Sequence, residues 1–199
     1  KLLRGLQNQR AMMKRQRNTR DDGAQRTNTK IQEWLQHERN REQPFFIFVN
    51  YMECHEPYRP PYPYNEKFLP KRFSPKRATQ VGSNKEIMQR LAAGKGQDDI
   101  EILRALYDGE LHYLDQQIGN LVQHLQTAGL LDDTMLVITS DHGDCLGEHN
   151  QIGHRMTLHE PLVHVPLIIR HPTYFHRGER VKQQVSLIDL YPTCLALSC

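Results

Sequence analysis

Apolar positions in this chain follow two different periods. Between Asp98 and Ala128, the residues Ile102, Leu103, Leu106, Leu111, Leu114, Ile118, Leu121, Val122 and Leu125 keep the 3.6-residue period of one helix face, and Gly129 follows where a helix end favours glycine. The spacing predicts one long helix there. A shorter helix is expected from Thr27, a residue able to cap it, because Ile31, Trp34 and Leu35 fall at i, i+3 and i+4; it must end before Pro44. Phe45-Phe46-Ile47-Phe48-Val49 is instead a continuous apolar run of aromatic and β-branched residues, the pattern of a strand buried on both faces of a parallel sheet. Thr134 to Ser140 reads as a second buried strand and Val165 to Arg170 as a third. Val185 to Leu190 predicts a short strand or extended segment, and Tyr191-Pro192 opens a terminal helix. Strand, long helix, strand is the order of a right-handed βαβ unit, so the fold class expected is α/β, a mostly parallel sheet flanked by helices.

Composition narrows this to one domain with an appendage, since 199 residues suffice for one sizeable core. Residues 1–26 are rich in Arg, Gln and Asn and read as a basic polar tail or frayed helix. The first 43 residues carry eleven Lys or Arg against five Asp or Glu, a net +6, which leaves the remainder at −3. No apolar run approaches the roughly 20 residues of a membrane span, so a soluble chain is expected. Cys54, Cys145, Cys194 and Cys199 lie far apart without a C-x-x-C pair and suggest neither a zinc ribbon nor a disulfide framework. From Pro57 to Pro75 the chain is dense in proline with Tyr58, Tyr62 and Tyr64 between, which predicts an ordered surface loop.

Ligands in open α/β sheets gather at the carboxyl ends of strands, which directs attention to the residues after Val49 and after Ile138. Ser140-Asp141-His142-Gly143 offers a carboxylate and an imidazole side by side, on a turn where Gly143 is free to take positive φ. Such a pair can present two ligands to one cation, and it is equally ordinary turn chemistry. His159-Glu160 with His164 has the look of the H-E-x-x-H zinc motif but fails it. The second histidine stands at i+5, and Pro161 breaks the helix the motif needs. The spacing of five through His149, His154, His159 and His164 matches neither helix nor strand and is read as coincidence.

The longer string Thr139-Ser140-Asp141-His142-Gly143-Asp144-Cys145-Leu146-Gly147-Glu148-His149, then Gly153-His154-Arg155 and Val165-Pro166-Leu167-Ile168-Ile169, resembles the sulfatase family, in which T-S-D-H/N-G runs into E-x-L-G-E-H-G and later V-P-L-I-I. Phe45 to Tyr58 is similar to its F-F-L-F-V-x-x-x-x-P-H-x-P-Y element, and Val185 to Leu197 to its V-S-L-V-D-L-x-P-T-L-L segment. The resemblance covers residues 27–199. It implies an alkaline-phosphatase-like fold, here incomplete, with 27–199 as the C-terminal half of a catalytic domain. It further implies that Asp141 and His142 are metal ligands, that His55 contacts the ester, and that His154 stands where many members have lysine. Cys54 replaces the proline often found before that first histidine. A divalent metal is implied, Ca²⁺ by the resemblance, although a nitrogen donor suits Mn²⁺ or Zn²⁺ better.

The family's nucleophile is a formylglycine made from cysteine in C-x-P-S-R or C-x-A-S-R, or from a serine there, and no cysteine here has that setting. Asp21-Asp22 follows Asn18-Thr19-Arg20 rather than a hydrophobic strand and reads as surface charge, not as the other pair of metal ligands. The expected function is therefore a metal-dependent sulfuric ester hydrolase acting on a sulfate ester, whose nucleophile lies outside these residues. These residues alone are expected to be inactive. Phosphodiester or phosphonate monoester hydrolysis on the same scaffold is the first alternative. A non-catalytic domain with a basic arm for acidic partners is the second, and no nucleic-acid partner is expected.

Overall fold

The computed structural model describes residues 21–81, 84–155, 157–171, 173–175 and 178–198. Most of the expected basic tail, residues 1–20, lies outside them.

The first helix, α1 (Ala24–Glu33), begins three residues before Thr27, directly after Gly23. Its start is set from far away. The free amide of Ala24 donates to Oε1 of the buried Glu53 at 2.8 Å, so a carboxylate 29 positions on satisfies the helix N-terminus in place of a local cap. A wider turn, Trp34–Glu38, carries the helix on to an extended Arg39, before Pro44 as the sequence requires. On the inner face Asn28 Nδ2 donates to the Gln117 carbonyl at 2.8 Å, and its Oδ1 accepts from Tyr51 Oη at 2.6 Å.

Short helices α2 (Tyr64–Lys67), α3 (Pro75–Ala78) and α4 (Asn84–Ala92) precede the long α5 (Gln97–Thr127), which falls within a residue of its expected span. Its buried face carries Ile100, Ile102, Leu103, Leu106, Tyr113, Leu121 and Leu125, while Leu111 is half exposed and Glu110 lies inside instead. The core is built from Tyr58, Ala78, Ile87, Ile100, Ile102, Leu103, Leu106 and Ile152. The proline-dense segment lies at the surface but is anchored, because Tyr58 and Pro60 are buried and the short helix α2 within it rides on α5. Gly109 permits this approach, because a Cβ there would stand 2.6 Å from the Tyr64 carbonyl oxygen and 2.9 Å from Pro60 Cγ. At the head of α5 the buried Asp99 holds α3 and α4 through the guanidinium groups of Arg77 and, at 2.9 Å, Arg90.

The strands depart from expectation. β1 (Leu136–Thr139) is half buried and pairs with β4 (Leu167–Arg170) antiparallel, Val137 opposite Ile169. A hairpin of β2 (Cys145–Leu146) and β3 (Ile152–Gly153) lies between them in sequence. Phe45–Val49 runs extended, with Phe46 and Phe48 exposed on one side, but has no strand partner among the described residues. An apolar run becomes a strand only when a neighbour takes up its amides and carbonyls. The α/β character therefore holds, whereas the parallel sheet and the βαβ unit are not formed among the described residues. A short helix α6 (Glu160–Val163) precedes β4. The segment 185–190 is a turn at Leu187–Asp189 capped by Ser186, and it leads into the terminal helix α7 (Leu190–Ser198).

Two glycines of α5 should respond in opposite directions to the same change. Gly109→Ala should destabilise the chain by about 1–3 kcal/mol through overlap with Tyr64 and Pro60. Gly119→Ala, with open space at its Cβ, should stabilise it by up to about 1 kcal/mol. Urea midpoints of the two variants measure both signs.

Candidate active site

Three segments meet at the site. The first is the turn after Phe45–Val49, where Cys54 takes a left-handed backbone (φ 68°) and His55 follows. This turn is anchored beneath by α5: Glu110, 1% exposed, accepts the Arg59 amide on Oε1 at 2.6 Å, and the Cys54 amide also faces its carboxylate. Burial pushes the Glu110 carboxyl up to about 7, with the charges of Asp22 and Glu53 adding to it and the two amides opposing. Glu53 is likewise raised, by burial first and by Asp21 beside it. Asp21 is half buried against Glu53 and Tyr113, so it is not the free surface charge expected from sequence. Burial also lifts the Cys54 thiol to about 12, which keeps it protonated and poorly nucleophilic.

The second segment leaves β1. Ser140 Oγ donates to the His142 carbonyl at 2.6 Å, and the His142 amide donates to Asp141 Oδ1 at 3.0 Å. Gly143 is not in a positive-φ conformation, contrary to expectation. It is needed for close approach: its amide donates to the Leu162 carbonyl at 2.8 Å, and any Cβ would overlap the Pro161 carbonyl oxygen. The third segment is the β2–β3 hairpin, which returns the chain to His154. Arg104 of α5 pins it, donating to the Leu146 carbonyl at 2.8 Å and to Glu148 at 2.9 Å.

The structure brings His55, His142 and His154 together. One ring nitrogen from each lies within 4.8 Å of the others, and the ring centroids are 6.3, 5.2 and 4.1 Å apart for the pairs 55–142, 55–154 and 142–154. Each Nδ1 faces an oxygen that can only accept: the Glu56 carbonyl at 2.9 Å, the Gly143 carbonyl at 2.9 Å and Asp144 Oδ1 at 2.8 Å. Nδ1 therefore carries a proton in all three, and Nε2 is the atom left for a ligand. Asp141 stands at the rim, highly exposed, with Oδ1 3.8 Å from His142 Nε2. That separation lets the two atoms grip one cation, so the pair fits a divalent metal.

One contributor to the site escaped the sequence reading. Asp144, whose side chain is 4% exposed, accepts from His154 and also from Tyr58 Oη at 2.5 Å, and this joins the proline-dense segment to the hairpin. Its position within the resembling string was the available signal. His149 and His159, read as coincidental, stack at 3.9 Å between ring centroids with 17° between planes.

The fold that carries this histidine cluster recurs among solved structures. The phosphonate monoester hydrolase of Agrobacterium radiobacter superposes with a TM-score of 0.67 at 28% identity, over 86% of this chain and 38% of that one. The yidJ protein of Bacteroides fragilis superposes with a TM-score of 0.70 at 25% identity, over 88% and 36%. The sulfatase family model matches residues 4–198, and the chain belongs to the sulfatase family. It is 31% identical over 183 residues to the uncharacterized sulfatase YidJ of Escherichia coli (strain K12), covering 88% of this chain and 36% of that protein. To arylsulfatase K of Xenopus laevis it is 30% identical over 186 residues, covering 83% and 34%. The chain spans about a third of the length of these curated relatives. No helix among the described residues is long and apolar enough to cross a membrane.

The buried acid under His55 gives a pH test. Because the folded-state value of Glu110 is raised from 4.5 to about 7, its contribution to stability is fully present below 4.5 and is lost as pH rises through 7. Relative to Glu110→Gln, the wild-type chain should lose on the order of 3 kcal/mol across that window. Denaturation of both proteins at a series of pH values measures the difference, and parallel curves would show that Glu110 does not titrate there.

Proposed function

We propose that residues 27–199 form the C-terminal half of the catalytic core of a sulfuric ester hydrolase, and that His55, Asp141, His142 and His154 are its contribution to the site. The observation that carries this reading is the convergence of His55, His142 and His154 from segments up to 99 positions apart, within a family whose members include arylsulfatase K.

Asp141 and His142 would hold the divalent cation, which supplies polarisation of the sulfate oxygens. Ca²⁺ is the resemblance's choice; one carboxylate beside one imidazole accommodates Mn²⁺ at least as well. His55 and His154 bind and orient the ester. With Nδ1 donated to fixed acceptors, the imidazolium form of each points Nε2–H at an oxyanion or a departing oxygen, and Asp144 balances the charge of His154. Tyr58 keeps Asp144 in place. The formylglycine nucleophile belongs, in this reading, to a part of the protein outside these residues. Hydrolysis of phosphonate monoesters is the second reading, favoured by the 0.67 TM-score to an enzyme of that name.

The complete protein carrying this chain should turn over an aryl sulfate with a divalent metal, and Asp141→Ala should lower kcat at least about a hundredfold with the fold intact. His55→Ala and His154→Ala should lower kcat/KM by about tenfold to a thousandfold. Turnover of a phenyl phosphonate above that of the aryl sulfate would favour the second reading. Turnover untouched by Asp141→Ala and His55→Ala would overturn both.

A further inference from the structure

We infer that His55, His142 and His154 form a tris-imidazole site for a borderline transition cation such as Zn²⁺, distinct in ligand set from the Asp141–His142 pair. It shares His142 with the reading above and otherwise stands on its own geometry. One ring nitrogen from each histidine already lies within 4.8 Å of the other two, and with every Nδ1 turned to an acceptor, Nε2 is the atom each ring has free. Tetrahedral zinc with bonds of about 2.0 Å needs donors about 3.3 Å apart, so a modest contraction of the rings closes the site. The surroundings are those of a metal centre rather than of loose surface histidines. All three rings are held by a hydrogen bond from the opposite nitrogen, two to backbone carbonyls and one to the buried carboxylate of Asp144, the outer-shell arrangement that fixes tautomer and orientation in metal-ligating histidines.

The ligand chemistry selects the cation. Three imidazoles suit Zn²⁺, Co²⁺ or Ni²⁺, whereas Ca²⁺ prefers six to eight oxygens. His154 completes the set, because a lysine at that position would bring a compact ammonium with no lone pair. A cation bound here also occupies the Nε2 atoms of His55 and His154, which the proposed function assigns to the ester. Zn²⁺ would then compete with substrate instead of activating it.

Titration of the chain with Zn²⁺ and Co²⁺ in mildly alkaline buffer tests the site. One equivalent of Co²⁺ should bind with the intense visible bands of a four- or five-coordinate ion. A millimolar excess of Ca²⁺ should not displace it. His55→Ala, His142→Ala and His154→Ala should each weaken Zn²⁺ at least about tenfold, and Asp144→Asn should do so by about ten- to a hundredfold. His154→Gln, which preserves shape, guards against a folding artefact, and far-UV circular dichroism of each variant checks the fold. Asp141→Ala is the discriminating variant. If it weakens Zn²⁺ as much as His142→Ala while His55→Ala and His154→Ala change nothing, the ion sits on the carboxylate side; the tris-imidazole inference then falls and the proposed function survives. Absence of a one-to-one complex also overturns the inference, without touching the aryl sulfate test.

Discussion

Asp144 is the group on which the site's geometry turns. A carboxylate this deeply buried is tolerated only when its oxygens are occupied, and here Tyr58 Oη and His154 Nδ1 occupy them. The two donors come from opposite halves of the described chain. Tyr58 belongs to the core and stands three residues after His55, while His154 closes the hairpin that follows Asp141 and His142. One acid therefore couples the position of His55 to that of His154, and a weaker surface tie, Arg155 to Glu56 at 3.4 Å, runs in parallel. Because Asp144 accepts from Nδ1, it also decides which nitrogen of His154 faces the site.

The long helix makes this coupling rigid. Along α5, Asp99 fastens the helices that precede it, Arg104 the β2–β3 hairpin, Gly109 the proline-dense segment, Glu110 the turn bearing His55, and Gln117 the first helix. From residue 99 to residue 117 the rise is about 27 Å, so attachments dispersed in sequence are held at fixed spacing on one rod. Two of them, Glu110 and Asp99, are buried acids, and they differ in kind. Asp99 faces two guanidinium groups, whereas Glu110 faces backbone amides and other acids. Burial pushes Glu110 toward neutral pH, so the turn below His55 responds to protonation.

Legibility in the sequence followed the range of the interactions involved. α5 could be read within a residue because its buried face repeats locally, and the residues at the strand exits could be named because the string around Asp141 is short and contiguous. What could not be read depended on a partner distant in sequence. The amide of Ala24 finds Glu53, so α1 starts earlier than Thr27 implied. Phe45–Val49 has the composition of a strand but lacks a neighbour among the described residues, and composition cannot supply one. β4 pairs with β1 in the opposite direction from that expected, since apolar runs carry no sign of direction. Asp144 looked like one more polar residue after a glycine until the fold set it between Tyr58 and His154.

If position 154 is the one where the resemblance implies lysine, a histidine there alters more than the strength of one contact. An ammonium can only donate, and its flexible stem lets it follow a moving ester. An imidazole locked by Asp144 is immobile and has one free nitrogen, a donor when protonated and a metal ligand when neutral. His55 and His142 are locked the same way by backbone carbonyls, so all three rings offer the same atom to the same space. Asp141, whose Oδ1 lies 3.8 Å from His142 Nε2, remains exposed at the rim. A hard cation must therefore find most of its ligands elsewhere in the protein, while a softer one meets a nearly assembled set. On the proposed reading, which ion the site would take is governed by how many oxygens the rest of the protein brings to Asp141.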